Sequence, residues 1–408
     1  MHSSESTPSP LLIYTLSVLS MLTEAMYSTV LPSIAWQMGV DGSVVQLSTT
    51  SYYCGFSLGI LTMGRFSDIY GRRLITLLGL CCYITGTYLI IQSSSIGWFI
   101  SYRFMQAYGA SIGSVISQAI ARDSYNGRSL SQIYLNTSIL MGLLPTIGVT
   151  IGGYIVDIFH IWQYIFVALL LYASFICCLH FKFLPETNRY LGHESNGSFS
   201  SVMKAAFKDR IFISYAIIIG ILNGNYFSFF IQAPFVFIDN LAISPSLYGI
   251  LFGMISMAMV ISSLLTKYMI NRYVDITKVQ IIGFALSIVG AVMLIAVTSF
   301  VNSKNIDVNY YIACIFIPIS IQSFGYAMVV PTILSRCLDN YRKVLGSAGS
   351  ILGSTYYGMT AITTFLVARV YSQEMAVYSR LFGILILIAT ALFAYAKKLE
   401  RQQQSQLI

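Results

Sequence analysis

Long apolar runs recur along almost the whole chain, separated by short polar or charged connectors. Each run is long enough to cross the hydrocarbon core of a bilayer, which is about 30 Å thick. A helix satisfies its own backbone hydrogen bonds in lipid, so we expect every run to be helical. The twelve predicted spans are residues 11–31, 44–64, 74–93, 96–120, 131–155, 161–184, 212–238, 246–268, 277–298, 309–333, 344–368 and 375–396. The sequence therefore predicts an all-α integral membrane protein.

Composition agrees with a chain that is solvated by lipid. Of the 408 residues, 56% are hydrophobic and 9% are charged, whereas about a quarter of a soluble domain is charged. The net charge of +8 does not indicate a nucleic-acid partner, because Lys and Arg lie in short clusters between apolar runs. The seven Cys residues form no CxxC pair, and no His stands at metal-ligand spacing. We therefore expect no metal and no cofactor.

Basic residues predict the orientation of the spans. With both termini in the cytoplasm, the outer connectors carry only Lys304, Arg369 and Arg380, and the other basic residues of the connectors and tail lie inside. This is the asymmetry of the positive-inside rule, and an odd number of spans would destroy it. No Lys or Arg precedes the run that begins at Leu11, so we interpret this run as the first span and not as a cleavable signal peptide. We predict a multi-pass protein of a bacterial inner membrane.

The longest polar connector, residues 185–210, divides the predicted spans into six and six. An even number of spans in each set makes both sets face the same way, so any repeat must be parallel, with its axis along the membrane normal. The fourth and tenth spans echo each other weakly, since each has Gln followed by Gly three residues on. The predicted units are an N-terminal six-helix bundle at 1–184, a cytoplasmic linker at 185–210, a C-terminal six-helix bundle at 211–396 and a cytoplasmic tail at 397–408.

The connector between the second and third spans reads GRFSDIYGRR. It resembles the signature loop of the major facilitator superfamily, and the matching residues are Gly64, Asp68, Gly71, Arg72 and Arg73. Two glycines allow a sharp turn, and Asp68 can lie near a helix N-terminus, where backbone dipoles favour a carboxylate. Such a contact can form and break as two bundles rock, so we predict a conformational latch. The alternative is a set of basic anchors that only fixes the topology.

This resemblance implies the major facilitator fold: twelve transmembrane helices in two six-helix, parallel-repeat bundles that act as a secondary transporter and not as an enzyme. The fifth span, MGLLPTIGVTIGGYI, resembles a motif of the superfamily's antiporters. Its Pro145, Gly148, Gly152 and Gly153 are expected to kink the helix and to let a neighbouring helix approach closely. Ordinary packing of small residues is the alternative.

Glu24 is the only acidic residue well inside a predicted span, and a charge at the centre of a membrane helix costs about 2.5–3.5 kcal/mol on insertion. Apolar surroundings favour the neutral form of a carboxyl group, so we expect Glu24 to gain and lose a proton, as a proton-coupled carrier requires. A neutral Glu that only stabilises a helix contact is the alternative. The segment TEAMYSTVLPSIA resembles the first span of bicyclomycin-resistance type drug/proton antiporters, with Tyr27, Leu31 and Pro32 aligned and Glu24 one position before the usual acid.

Arg103 is a permanent cation in the apolar fourth span. The segment RFMQAYGAS resembles the superfamily's fourth-span motif, which has Arg, then Gln, here Gln106, and then a Gly-rich stretch. In the family this Arg is associated with proton coupling, so the resemblance implies that Arg103 takes part in it together with Glu24. On geometry alone, Arg103 can instead extend toward the outer membrane interface.

Candidate substrate contacts are polar or aromatic residues on helices that are expected to face a central cavity. A single aromatic residue is more often an interface anchor or a packing residue, so we favour the cluster at 223–232 over any one tyrosine. The candidates are Tyr27, Tyr52, Asn223, Asn225, Tyr226, Phe227, Gln232, Gln322 and Tyr356. A drug, a siderophore, a sugar derivative and an amino-acid metabolite would all fit such a cavity.

These features favour proton-coupled export of small organic molecules by a monomeric carrier that works by alternating access. A proton-coupled importer of a nutrient or metabolite on the same fold is the alternative, and a membrane sensor that transports nothing is a weaker one. An ATP-driven pump or a membrane-embedded enzyme is disfavoured, because the sequence contains no GxxxxGKS or GxxxxGKT phosphate loop and no HExxH motif.

Overall fold

The computed structural model describes residues 7–188, 199–300, 307–338, 341, 344–370 and 375–407, and regular structure in these ranges is helical throughout. The helices are α1 (Pro10–Ser28), α2 (Leu31–Met38), α3 (Gly42–Tyr70), α4 (Arg72–Ile91), α5 (Ile96–Ala110), α6 (Ile112–Ser124), α7 (Gly127–Phe159), α8 (Gln163–Phe183), α9 (Phe199–Lys208), α10 (Arg210–Pro234), α11 (Pro245–Asn271), α12 (Ile276–Phe300), α13 (Val308–Cys337), α14 (Leu345–Arg369) and α15 (Met375–Leu407). A six-residue π-helical segment, Phe235–Asn240, continues α10. The predicted all-α fold is confirmed.

Every predicted span coincides with one helix or with two successive helices. Among the described residues, ten helices are long and apolar enough to cross a membrane. The second and fourth predicted spans fall outside that group, because α3 carries many Ser, Thr and Gly residues and the fourth span is divided between α5 and α6. The chain is thus a multi-pass membrane protein, while a count of twelve crossings stays a prediction for those two spans.

Two predicted spans are divided where the sequence suggested continuous helices. The first span, 11–31, separates into α1, which ends at Ser28, and α2, whose first turn contains Pro32. Proline suits this position, because a backbone N–H in the first turn of a helix has no acceptor within the helix and its absence loses no hydrogen bond. The fourth span is divided at Ser111. Hydropathy hides such breaks, since apolar side chains continue on both sides of them.

The outward side chains of the helices are apolar, as lipid contact requires. Leu171, Phe175, Met257 and Leu264 are between 61% and 66% exposed. Soluble monomers rarely expose large contiguous apolar surfaces of this kind. This surface therefore supports a bilayer as the surrounding medium.

Helix packing repeats between the N-terminal set (α1–α8) and the C-terminal set (α10–α15). In the first set α1 packs on α7, α4 packs on α8, and α5 packs on both α3 and α4; in the second set the corresponding pairs are α10 on α14, α12 on α15, and α13 on both α11 and α12. The sets meet where α3 packs on α14 and where α7 packs on α11. In the same correspondence α3 matches α11 and α14 matches α7, so each of these two contacts is the counterpart of the other. The pattern supports a parallel repeat. The units 1–184, 185–210, 211–396 and 397–408 remain our proposal.

The linker contains a helix that the sequence analysis did not predict. α9 buries Val202 and Ala206, packs on α10 and α14, and leaves Phe207 57% exposed. Its apolar residues recur at helical spacing, a signal that the polar character of this connector concealed. Residues 189–198, with Arg189 and the HESNGS segment, lie outside the described residues, as do Lys304, Arg342 and Lys343.

Glycines of the antiporter-like segment bring α7 against its neighbours. A Cβ at Gly152 would lie 2.9 Å from the carbonyl oxygen of Met26 in α1, and one at Gly153 would lie 2.6 Å from the carbonyl carbon of Pro245 in α11. Neither position has room for a side chain, so the helices touch at the level of the backbone. α7 runs through Pro145 without interruption.

We expect Gly153→Ala to destabilise the contact between α7 and α11, because the new methyl group would meet backbone atoms. Overpacking of this kind costs about 1–3 kcal/mol. Gly142→Ala is the control on the same helix, since a Cβ there would meet only Val260, at 3.8 Å. Thermal unfolding of the purified variants measures the difference, and equal melting temperatures for the two variants would contradict this packing.

Candidate functional site

Glu24 of α1 and Arg103 of α5 form a buried ion pair. The Arg103 guanidinium donates through Nη2 to Glu24 Oε1, and the side chains are 0% and 11% exposed, respectively. Two charges removed from water must be paired, because an isolated buried charge is far more costly than a paired one. The two residues that the sequence singled out for proton coupling are thus in direct contact. Arg103 points into the bundle and not toward a membrane interface.

Two tyrosine rings cover the guanidinium of Arg103. The guanidinium carbon lies 4.0 Å from the ring centre of Tyr27 and 4.4 Å from that of Tyr52. Such cation–π contacts gain strength when they are shielded from water. Both tyrosines were predicted as substrate contacts, and in this structure their faces are occupied by Arg103.

The guanidinium of Arg103 also begins a chain of hydrogen bonds that reaches α4. Arg103 Nη1 donates to Gln106 Oε1 at 2.6 Å, and Gln106 Nε2 donates to Thr87 Oγ1 of α4 at 2.8 Å. α4 can come this close because Gly86 lies against Gln106; a Cβ on Gly86 would lie 2.8 Å from the Gln106 nitrogen. The Tyr83 hydroxyl pairs with Thr23 at 2.6 Å. Sequence reasoning missed Tyr83 and Thr87, although they lie one helical turn apart on one face of α4.

The ion pair borders the contact between the two sets. Glu24, Tyr53, Phe227 and Phe230 line a common cavity of about 10 Å³, which is barely enough for one water molecule. The rings of Tyr53 and Phe227, one from each set, lie 5.2 Å apart. The space beside the ion pair is therefore closed in this structure.

Polar side chains connect the sets along α3. Gln46 Nε2 donates to Gln232 Oε1 at 2.9 Å, and Ser57 Oγ donates to the Ser354 carbonyl at 2.7 Å. Gln232 was predicted as a substrate contact and lies at this interface, whereas Gln46 was missed. Gln46 and Ser57 share one face of α3 at a spacing of eleven residues, which is close to three helical turns. Polar residues at that spacing in a membrane helix were the available signal.

The other predicted substrate residues form a second group inside the C-terminal set. Asn225, Tyr226 and Gln322 line a cavity of about 20 Å³ together with Tyr326, whose hydroxyl donates to Asn223 Oδ1 at 2.7 Å. Within the described chain, buried Asn225 Oδ1, the Tyr226 hydroxyl and Gln322 Oε1 have no hydrogen-bond partner. Buried polar atoms are nearly always paired in native proteins, and these three unpaired atoms belong to residues that line one cavity.

Tyr356 stands apart from both groups. It lines a cavity of about 150 Å³ between α6 and α14, together with Gln118, Arg122 and Ser350. Its ring packs on Tyr357 with the centres 4.6 Å apart. This position lies nearer to the predicted cytoplasmic ends of the helices than the ion pair does.

Arg72 is the centre of an ion cluster in the GRFSDIYGRR loop. Its Nη1 lies 2.5 Å from Asp68 Oδ1, and its Nε donates to Asp123 Oδ2 of α6 at 3.0 Å. Gly64 lies where α3 meets α6, and a Cβ there would lie 2.7 Å from Val115 Cγ1. These contacts all lie within the N-terminal set. The role of the loop as a latch between sets stays a prediction.

The carboxylate that occupies a helix N-terminus is Glu186, whereas the sequence analysis considered Asp68 for that position. Glu186 Oε1 accepts from the Arg72 amide at 2.9 Å, and Oε2 accepts from the Arg73 amide at 3.1 Å, so Glu186 caps α4. The chain turns at Gly71 with φ of +101°, where a Cβ would meet the Glu186 carboxylate. Glu186 belongs to the LPET segment after α8, so this bond ties the end of α8 to the start of α4.

A family model described as Major Facilitator Superfamily matches residues 13–364. The chain belongs to this superfamily. An uncharacterized transporter of Rickettsia bellii is 39% identical over 381 residues, which cover 93% of this chain and 94% of the relative. A bicyclomycin resistance protein homolog of Haemophilus influenzae is 25% identical over 392 residues, which cover 94% of this chain and 95% of that protein. The crystal structure of a D-xylose-proton symporter has a TM-score of 0.73 at 13% identity and covers 93% of this chain and 96% of its own.

Membership of the Major Facilitator Superfamily makes the chain a membrane transporter of small molecules, and it confirms the resemblance inferred from the loop and span motifs. The family and its relatives are transporters, and no catalytic function is indicated. Within the described ranges, no group of three His, Cys, Asp or Glu side chains could hold a metal ion.

We expect Glu186→Ala to weaken the start of α4, because the Arg72 and Arg73 amides would lose their acceptor. Loss of such a cap costs about 0.5–2 kcal/mol. Hydrogen exchange measures the effect as faster exchange of these two amides. Thr187→Ala is the control, since Thr187 Oγ1 has no hydrogen-bond partner in the described chain. Unchanged exchange in Glu186→Ala would exclude the capping role.

Proposed function

We propose that this superfamily member exports small organic molecules in exchange for protons, by alternating access. The observation that carries the proposal is the buried pair of Glu24 and Arg103, whose guanidinium packs against the rings of Tyr27 and Tyr52. Glu24 also borders the cavity where the two sets meet. A proton can therefore change the charge of the site at the place where the conformational change must begin.

A proton on Glu24 would change the charge of the site. With Glu24 ionised, the pair is neutral overall, whereas a proton on Glu24 leaves the charge of Arg103 facing two rings and Gln106. A buried ion pair that loses one of its charges is destabilised, because the other charge stays without a counter-ion. We infer that protonation of Glu24 favours a different arrangement of the site.

Proton and substrate would compete at the same place. The cavity beside Glu24 is too small for any organic molecule, so a substrate must separate Tyr53 from Phe227 to enter. We propose that the arrangement that admits substrate keeps Glu24 ionised and paired with Arg103, whereas a proton on Glu24 breaks that pair. Binding of one ligand then disfavours binding of the other, which is the requirement for exchange.

The C-terminal set supplies the other part of the proposed binding site. Asn225, Tyr226 and Gln322 offer unpaired hydrogen-bonding atoms among aromatic and aliphatic side chains, and none of the three is charged. Sites of this kind hold an apolar body by contact and orient it by a few hydrogen bonds. We infer a substrate with an apolar body and neutral polar groups.

Two observations favour export over import. The segment from Pro145 to Gly153 resembles that of the superfamily's antiporters, and its glycines make the close helix contacts that such a segment permits. The Haemophilus influenzae relative is named for bicyclomycin resistance, and export is how a carrier would confer resistance. A proton-coupled importer is the second candidate, because a D-xylose-proton symporter shares the fold.

We further propose a monomer in a bacterial inner membrane, with both termini in the cytoplasm. Among the described residues, Arg369 and Arg380 are the basic side chains at the proposed outer helix ends. The cytoplasmic ends carry many more, including Arg72, Arg122 and Lys397. This distribution supports the orientation through the positive-inside rule.

We expect Glu24→Gln to abolish proton-coupled transport while the protein stays folded and inserted, because the amide keeps the shape of the carboxyl but takes up no proton. Purified protein in liposomes with an imposed pH gradient measures gradient-dependent substrate flux. The matched control is Asp239→Asn, which removes an exposed carboxylate outside the cavity. Wild-type flux in Glu24→Gln would remove Glu24 from the mechanism, and equal losses in both variants would show a non-specific effect.

We expect Asn225→Ala and Gln322→Ala to raise KM about fivefold each, since each loses a hydrogen bond to substrate worth about 1 kcal/mol. The number of protons exchanged per substrate should stay the same, in contrast to Glu24→Gln. Gln280→Ala is the control, because Gln280 is a buried amide that lacks partners in the described chain but does not line this cavity. An unchanged KM in both test variants would place the substrate elsewhere.

A further inference from the structure

A long apolar groove lies between α12 and α15, outside the proposed transport site. Its wider part has a volume of about 840 Å³, and all its lining residues belong to these two helices. Ile281, Phe284 and Ile288 of α12 follow each other at helical spacing and face Phe393 and Ala394 of α15. Pockets of about 300–1,000 Å³ commonly hold a small-molecule ligand. This α12–α15 groove is thus large enough for a hydrocarbon chain.

A second cavity extends the groove along the same helices. It has a volume of about 370 Å³, shares Ile288 with the first cavity, and continues past Leu387 to Arg380. From Arg380 to Lys397 the helix rises about 25 Å, which is close to the hydrocarbon thickness of about 30 Å. The apolar length of the groove therefore matches the depth of the membrane interior.

Basic side chains line the proposed cytoplasmic end of the groove. Lys397, Lys398 and Arg401 all contribute to its wall. Lys397 pairs with Glu400 at 2.8 Å, whereas Lys398 and Arg401 have no ion-pair partner in the described part of the chain and are exposed. Three cations and one carboxylate give this end a net positive charge.

An anionic lipid satisfies both parts of the groove. Its flanks carry Ile281, Ile384 and Leu387, which are 56%, 55% and 58% exposed, so the occupant must be soluble in lipid. Its basic end requires an anion at the level of the headgroups, and basic pockets between membrane helices on the cytoplasmic side bind anionic lipids. We propose that the α12–α15 groove binds one anionic phospholipid, with its phosphate on Lys398 and Arg401 and an acyl chain along Ile281 and Phe284. This inference does not depend on the proposed function.

Native mass spectrometry of the purified protein tests the site with phosphatidylglycerol and phosphatidylcholine of identical acyl chains. We expect wild type to bind phosphatidylglycerol more tightly, and the double variant K398Q/R401Q to lose about 30-fold in that affinity, since each basic residue contributes about fivefold. Binding of phosphatidylcholine should not change. The control is K267Q/R272Q, which removes two basic residues at the cytoplasmic end of α11, outside the groove.

A second variant separately tests binding of the acyl chain in the groove. Ala285 lines the groove and is exposed, so Ala285→Trp should fill the groove and weaken binding of both lipids without disturbing the core. Glycerol phosphate, which has the anion but no chains, should not displace bound phosphatidylglycerol. Equal affinity of wild type for the two lipids, equal losses in K398Q/R401Q and K267Q/R272Q, or unchanged binding in Ala285→Trp would each overturn the proposal.

Discussion

A guanidinium group keeps its charge inside a bilayer, and the arrangement at the centre of the N-terminal set follows from that constraint. Arg103 is wholly buried, so the protein must replace the water that would otherwise surround it. Glu24 neutralises the charge, the rings of Tyr27 and Tyr52 pack against the guanidinium, and Gln106 accepts a hydrogen bond from it. Four helices, α1, α3, α4 and α5, are held in register by contacts to this one side chain or to its immediate partners.

The two sets meet through close helix packing, ring contacts and individual hydrogen bonds. Along α7 and α11 the helices touch at Gly153, and Asp157 Oδ2 of α7 accepts from the Ser246 amide of α11 at 3.0 Å. Along α3 and α14 neutral groups pair, such as Ser57 with the Ser354 carbonyl and Thr50 with Thr364 at 3.2 Å. A neutral hydrogen bond contributes only about 0.5–1.5 kcal/mol. An interface that must open and close is better served by many such contacts than by a few strong ion pairs.

Hydropathy predicted the helices well, because lipid leaves a spanning segment almost no other way to satisfy its backbone. The sequence identified Glu24 and Arg103 as candidates, because charged residues are rare in membrane spans and because both lie in segments that resemble family motifs. The partners of these residues were harder to predict: Tyr27 was expected to face substrate and packs on Arg103, while Gln46 and Glu186 were not proposed at all. Pairing between distant helices depends on their relative rotation, and a one-residue change of register turns a helical side chain by about 100°.

The cap that Glu186 forms on α4 also determines how much chain joins the two sets. Glu186 and Asn188 are bonded to the GRFSDIYGRR loop, and α9 is docked on α10 and α14. Ten residues, 189–198, connect these two anchored points. Ten residues reach at most about 35 Å when fully extended. The connecting segment therefore limits the distance between the two sets. They can tilt against each other, but they cannot separate far in the plane of the membrane.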